Sequence, residues 1–126
     1  MSQQSIAIVG LGRVGSVFLE GLLDHDADGI SIVAVSEQGD TPGKKLAQIQ
    51  GIPVVTIDDL IEHGESIDIL FDLTGVMSVR KELRDKMMAS NNRHTLIATE
   101  AVAQLIWSLI PHGGEALPKV HAKVGY

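Results

Sequence analysis

The sequence predicts an α/β domain built on five parallel strands in the order 3-2-1-4-5, with helices on both faces. Three observations carry that expectation. Short apolar runs rich in Ile and Val alternate along the chain with segments whose apolar residues recur at helical spacing. The first run, Ile6-Ala7-Ile8-Val9, passes directly into Gly10-Leu11-Gly12-Arg13-Val14-Gly15, the spacing G-x-G-x-x-G between a strand and a helix. Apolar residues fill 44% of the 126 positions but aromatic ones only 3%, so the core must be built from Ile, Val, Leu and Ala. That composition suits a parallel sheet buried on both faces.

In chain order, Ile6 to Val9 reads as the first strand, and the glycine turn leads into a helix with Val14, Val17, Phe18 and Leu22 on its apolar face. Ser16 and Glu20 are left for the opposite face. Asp24 to Gly29 is a polar turn, and Ile30 to Ser36 is a β-branched second strand. A loop from Gly39 to Gly43 precedes a short helix, Lys44 to Gln50, stopped by Gly51. Ile52 to Thr56 reads as a third strand, which Pro53 confines to a sheet edge. Asp58 to Gly64 is a short helix with acids at its start, where they cap it.

Ser66 to Asp72 is the fourth strand and leads into Leu73-Thr74-Gly75. Val79 to Met88 is a charged amphipathic helix, and His94 to Thr99 is the fifth strand. A helix from Glu100 through AVAQLIWSLI ends before Pro111. Residues 1–110 thus make one domain, followed by a loosely ordered tail, 111–126.

Charge and residue usage narrow the partners. A net charge of −6, with no basic run longer than two residues, repels phosphate backbones and anionic lipid surfaces, so neither nucleic acid nor membrane is expected. With no cysteine, thiolate nucleophiles and cysteine zinc sites are excluded. His25, His63, His94, His112 and His121 show no ligand spacing, so no metal is expected. The MSQQS start has neither a basic nor an apolar region of a signal peptide, which points to a cytoplasmic protein. No serine sits in a G-x-S-x-G elbow.

The glycine turn is where chemistry is expected. Gly10 lets the chain leave the strand in a conformation a side chain would obstruct. Gly12 leaves room for a pyrophosphate at the helix start, and Gly15 lets the helix pack on the strand. Glu37 falls 22 residues after Gly15, at the end of the second strand, where a carboxylate accepts from the adenosine ribose hydroxyls. It also repels a 2′-phosphate, and Gln38 follows where an arginine would pair with one, so NAD is favoured over NADP. Thr74 and Gly75 border the expected cleft, Thr74 offering a hydroxyl and Gly75 close approach, although a simple turn explains them as well. The candidate cofactor-binding set is therefore Gly10, Gly12, Arg13, Val14, Gly15, Glu37, Thr74 and Gly75, with Arg13 placed to touch phosphate. Asp72, at a buried strand end, is either an active carboxylate or a turn contact.

With these elements in this order, the chain resembles the NAD(P)-binding Rossmann domain of the homoserine dehydrogenase, dihydrodipicolinate reductase and glucose–fructose oxidoreductase group. IAIVGLGRVG resembles the phosphate-binding turn of that group, VAVSE its second-strand end and DILFDLTG its fourth strand. GLGRVG also looks like the ligand-binding domains that regulate potassium channels and transporters. The group's reductases carry a second domain, and many place a lysine just after the fifth strand. Here sixteen residues follow the last helix, and Thr99-Glu100-Ala101-Val102-Ala103 contains no lysine or histidine.

The expectation is a stand-alone NAD-binding module that senses or carries the nucleotide, with no catalytic residue assigned. Two alternatives remain open. One is an oxidoreductase whose substrate site is completed by a second chain or a homodimer; the other is a protein-interaction module with a vestigial nucleotide turn. The helix around Trp107 either covers the sheet or contributes to a homodimer or partner face.

Overall fold

The computed structural model describes residues 3–25, 29–110 and 117–118. Its order is β1 (Gln4–Val9), α1 (Arg13–His25), β2 (Ile30–Ser36), α2 (Pro42–Ile49), α3 (Ile57–His63), a 3₁₀ turn (Gly64–Ser66), β3 (Ile69–Asp72), α4 (Met77–Ala89), β4 (Leu96–Ala98) and α5 (Glu100–Leu109). The centre of the Asp24–Gly29 turn, most of the tail, and with it His112 and His121, lie outside the described residues.

All strands are parallel and form one four-stranded sheet in the order β2-β1-β3-β4. The result is an α/β, Rossmann-like sheet, but the five-stranded order 3-2-1-4-5 is corrected. The segment Ile52 to Thr56 is no strand; it contributes a single bridge, Val54 beside Val35 on the outer side of β2. The Val35 N–H donates to the Pro53 carbonyl at 2.9 Å and its carbonyl accepts from the Val55 N–H at 2.8 Å. Pro53 has no N–H to extend that ladder, and at Thr56 the chain already turns into a helix cap.

Alternation along β1 divides the core. Ile6 and Ile8 face α1 and α5, while Ala7 and Val9 face α3 and α4. The first side is filled by Val14, Phe18 and Leu22 of α1 with Phe71, Ala98 and Trp107; the second by Leu60, Leu70, Val79, Leu83 and Met87. Phe18 is the hub of the first side, its ring 5.1 Å from that of Phe71 and 6.4 Å from that of Trp107. Trp107 is buried over Gly21, where any Cβ would overlap the indole. So Trp107 covers the sheet, and the outer face of α5 presents Leu105 and Leu109 instead. Among the described residues no helix is long and apolar enough to cross a membrane.

Caps set the helix boundaries. Thr41 opens α2 by accepting the Lys44 N–H at 3.1 Å, with Pro42 at the first helical position. In α3 the Thr56 hydroxyl accepts the Asp59 N–H, and the Asp59 carboxylate accepts the Thr56 N–H. This is a reciprocal capping box. Asp58 instead pairs with Lys86 of α4, whose pKa is raised by its hydrogen bonds to Asp58 and then Glu82. Thr56→Ala should cost about 1 kcal/mol in urea unfolding. An unchanged midpoint would mean the box is decorative.

At the N-terminal end of the sheet Asp68 joins three strands' neighbourhoods. Its carboxylate accepts the Ser5 N–H at 2.8 Å and meets His94 Nε2 at 2.6 Å. The backbone bond from Ser5, followed by the contact with His94, holds the Asp68 pKa below the ordinary value.

Candidate functional site

Gly10 closes β1 with φ +94°, a left-handed conformation natural only to glycine. Its N–H donates to the Ser36 carbonyl at 2.9 Å, so the turn starts locked to the end of β2. A Cβ there would stand 2.9 Å from the Thr74 methyl carbon and 3.0 Å from its backbone nitrogen. The glycine thus brings β1's exit and the turn after β3 into contact.

Gly15, in the first turn of α1, has no space either: a Cβ would stand 1.9 Å from the Gly10 carbonyl oxygen. Gly12 is the opposite case. Nothing stands within 4 Å of where its Cβ would be, although it lies between two crowded glycines. The Ser16 N–H is the one that returns to the Gly12 carbonyl, at 2.9 Å, so the amides ahead of it have no carbonyl one turn back. The open space lies over the positive end of the helix. Arg13 is exposed at the first helical position, and Val14 is buried beneath it in the core.

Glu37 reaches back from the end of β2 to this turn. One oxygen accepts the Leu11 N–H at 2.6 Å, and the other accepts the Gly39 N–H at 2.9 Å. A carboxylate offers about four lone-pair positions, so these two bonds leave acceptor capacity toward solvent. Beside it opens a groove of about 810 Å³, bordered by Ser36, Glu37, Gln38 and Lys44 on one side and by Val55, Asp58, Val76 and Glu82 on the other. Its carboxylates, Glu37, Asp58, Asp59 and Glu82, outnumber its one lysine.

Thr74 and Gly75 form the opposite wall. The Thr74 hydroxyl donates to Asp72 Oδ1 at 2.7 Å and accepts the Val76 N–H at 3.1 Å, while its methyl abuts Gly10. Gly75 takes φ +70° to turn the chain toward α4. Of the two sequence readings of Asp72, the turn contact is the one formed: fully buried, it also accepts the Thr74 N–H at 3.1 Å.

Two arrangements escaped the sequence reading. Asp72 Oδ2 accepts from Arg80 Nε at 3.1 Å, and the same guanidinium donates to Glu100 at 2.9 Å, tying α4 and α5 to the end of β3. Burial disfavours the Arg80 charge, but the hydrogen bond to Asp72 and the fields of Glu100 and Asp72 outweigh it and raise the pKa. An acid at a strand end with an arginine one helix-turn into the next element is the only signal for it. Ser16, expected on the outer face of α1, lies instead beneath α2. Its hydroxyl donates to the Leu11 carbonyl at 2.8 Å and accepts the Gly43 N–H at 3.0 Å. Gly43 has no room for a Cβ over Ser16, so α2 lies directly against the first turn of α1.

The sequence-predicted residues therefore fall on one rim, at the C-terminal ends of β1, β2 and β3. Among the described residues no group of histidines and carboxylates is arranged to hold a metal.

No family model matches the chain. Over 98 residues it is 29% identical to a glutamyl-tRNA reductase of Picosynechococcus sp., a stretch covering 77% of this chain and 22% of that protein. The chain thus spans less than a quarter of the length of the curated relative it matches. In three dimensions it is similar to the homoserine dehydrogenase of S. aureus, with a TM-score of 0.46 and 17% identity over 80% of this chain and 33% of that one.

Proposed function

We propose that the chain is a nucleotide-binding module that takes NAD across the rim of β1, β2 and β3. The observation that supports it is the open space over Gly12, between two glycines that the packing crowds, at the start of α1. That is a cradle a side chain would fill, and it suits the pyrophosphate. Arg13 stands beside it for phosphate. Glu37 would take the adenosine ribose hydroxyls on its remaining lone pairs while it continues to hold Leu11 and Gly39. Gly10, Gly15 and Val14 shape the turn, and Thr74 and Gly75 wall it. The excess of carboxylates around the adjoining groove repels a 2′-phosphate, so NADP binds more weakly.

Titration calorimetry with NAD, NADH and NADP tests this. Micromolar NAD binding is expected, weakened about tenfold or more in Glu37→Ala, since charge-assisted bonds of this kind contribute roughly 1.5–3 kcal/mol. Gly12→Val should abolish binding yet leave the unfolding midpoint within about 1 kcal/mol of the parent, because its side chain enters open space. No heat with any of the three nucleotides, up to millimolar ligand, would overturn the proposal.

A second reading is an oxidoreductase half-site completed by other polypeptide. The match to a reductase more than three times as long favours it. When bound, the nicotinamide would supply the hydride chemistry. Activity that appears only on adding a partner chain would distinguish this reading from nucleotide sensing.

A further inference from the structure

The opposite end and side of the sheet carry a second feature, independent of the nucleotide reading. β4 is an edge strand: among the described residues nothing pairs with it on the side away from β3. The Leu96 N–H donates to the Asp68 carbonyl at 2.9 Å, so by alternation the Ile97 N–H and carbonyl point outward, away from β3. Directly beside this edge lies a groove of about 330 Å³ between β4 and the last turns of α4. Met87, Met88 and Ile97 supply its apolar lining, and Arg84 and Arg93 its charge; no carboxylate lines it.

Those two arginines stand apart from the other cations around α4. Arg80, Lys81 and Lys86 each sit against a carboxylate, whereas neither Arg84 nor Arg93 has such a partner among the described residues. The net charge is −6, so an unneutralised pair of guanidinium groups on one groove is a local reversal of the surface. Met88 is 78% exposed and Leu96, on the other face of β4, 59%. An apolar lining, an open strand edge and two uncommitted arginines coincide.

We propose that this edge takes an extended acidic peptide segment from a partner protein, added as a fifth strand beside β4. Main-chain hydrogen bonds to Ile97 would set its direction. One apolar side chain of the segment would lie over Met87 and Ile97, the next over Leu96, since neighbours in a strand face opposite sides. Flanking Asp or Glu side chains would pair with Arg84 and Arg93, the planar guanidinium being suited to carboxylates. The groove lies beside the last turns of α4 and the start of β4, so it is distinct from the glycine turn at the C-terminal end of β1.

The test is fluorescence anisotropy on the full chain with a labelled peptide, acetyl-Glu-Glu-Val-Ile-Val-Glu-Glu-amide, and its counterpart with lysines in place of the glutamates. The overall field repels the acidic peptide, so saturable binding of it reports a local site. It should bind, weaken with added salt, and lose roughly tenfold or more in affinity in the Arg84→Glu/Arg93→Glu double variant. Both side chains are exposed, so that variant should keep the parent's unfolding midpoint. Amide exchange of Ile97 should slow on binding. The proposal is overturned if the acidic peptide fails to saturate up to millimolar concentration, if the double variant binds it as well as the parent, if the lysine peptide binds equally, or if the Ile97 amide is unprotected in the complex.

Discussion

Gly15→Val should destabilise the domain by roughly 3 kcal/mol or more, the upper end of what overpacking costs. The added Cβ would stand 1.9 Å from the Gly10 carbonyl oxygen, deep inside van der Waals contact. That oxygen has little freedom to retreat. Gly10 is held by its N–H bond to Ser36 and is hemmed by Thr74 on its other side. Relief therefore requires α1 to move off the sheet, and α1 carries Phe18, the ring at the centre of the first core. Urea unfolding followed by circular dichroism measures the loss, and Gly12→Val, three residues earlier in the turn, is the matched control. The same substitution at the two glycines should thus separate folding from binding. Equal midpoints for the two variants would show that α1 is not packed on the turn as closely as the geometry states.

Breaking the Asp72–Arg80 pair is the other large effect. Asp72 is fully buried and accepts three hydrogen bonds, from the Thr74 N–H, the Thr74 hydroxyl and Arg80 Nε. Asp72→Ala strands all three donors and is expected to cost about 3 kcal/mol, the lower end for removing one partner of a buried ion pair. Arg80 is partly solvated and keeps Glu100, which limits the loss. Adding Arg80→Met to Asp72→Ala should restore part of the stability, because an unpaired guanidinium no longer has to be held at the end of β3. Strict additivity in this cycle would mean that the two side chains are neighbours without coupling. Because Thr74 abuts Gly10, Asp72→Ala should also weaken any nucleotide affinity of the turn, which Arg80→Met alone should affect less.

Local chemistry made much of this domain legible from the residues alone. The alternation of Ile6, Ala7, Ile8 and Val9 determines a strand buried on both faces, because neighbouring side chains must point to opposite sides. The G-x-G-x-x-G spacing determines a strand–turn–helix, because a left-handed exit at Gly10 and a close approach at Gly15 are both intolerant of Cβ. Asp58 and Asp59 announce a helix start, although the residue that caps it is Thr56, which reads as a strand end in the sequence.

Tertiary packing decided what depends on partners distant in sequence. The stretch Ile52 to Thr56 has strand composition, yet a proline without a donor and a competing helix cap reduce it to one bridge beside β2. Spacing places Glu37 at the end of the second strand, but its bond to Leu11 exists only because β1 and β2 end side by side. Ser16 reads as a solvent-facing residue of α1 until α2 folds over it, and Gly43 lacks the Cβ that would prevent the contact. Trp107 could have faced a partner; the gap above Gly21 and the ring of Phe18 turned it inward. Backbone conformation is set by a residue and its neighbours, and a single sequence displays it. Which side chain occupies a given gap is set by elements many residues apart, and only the assembled sheet and helices determine that.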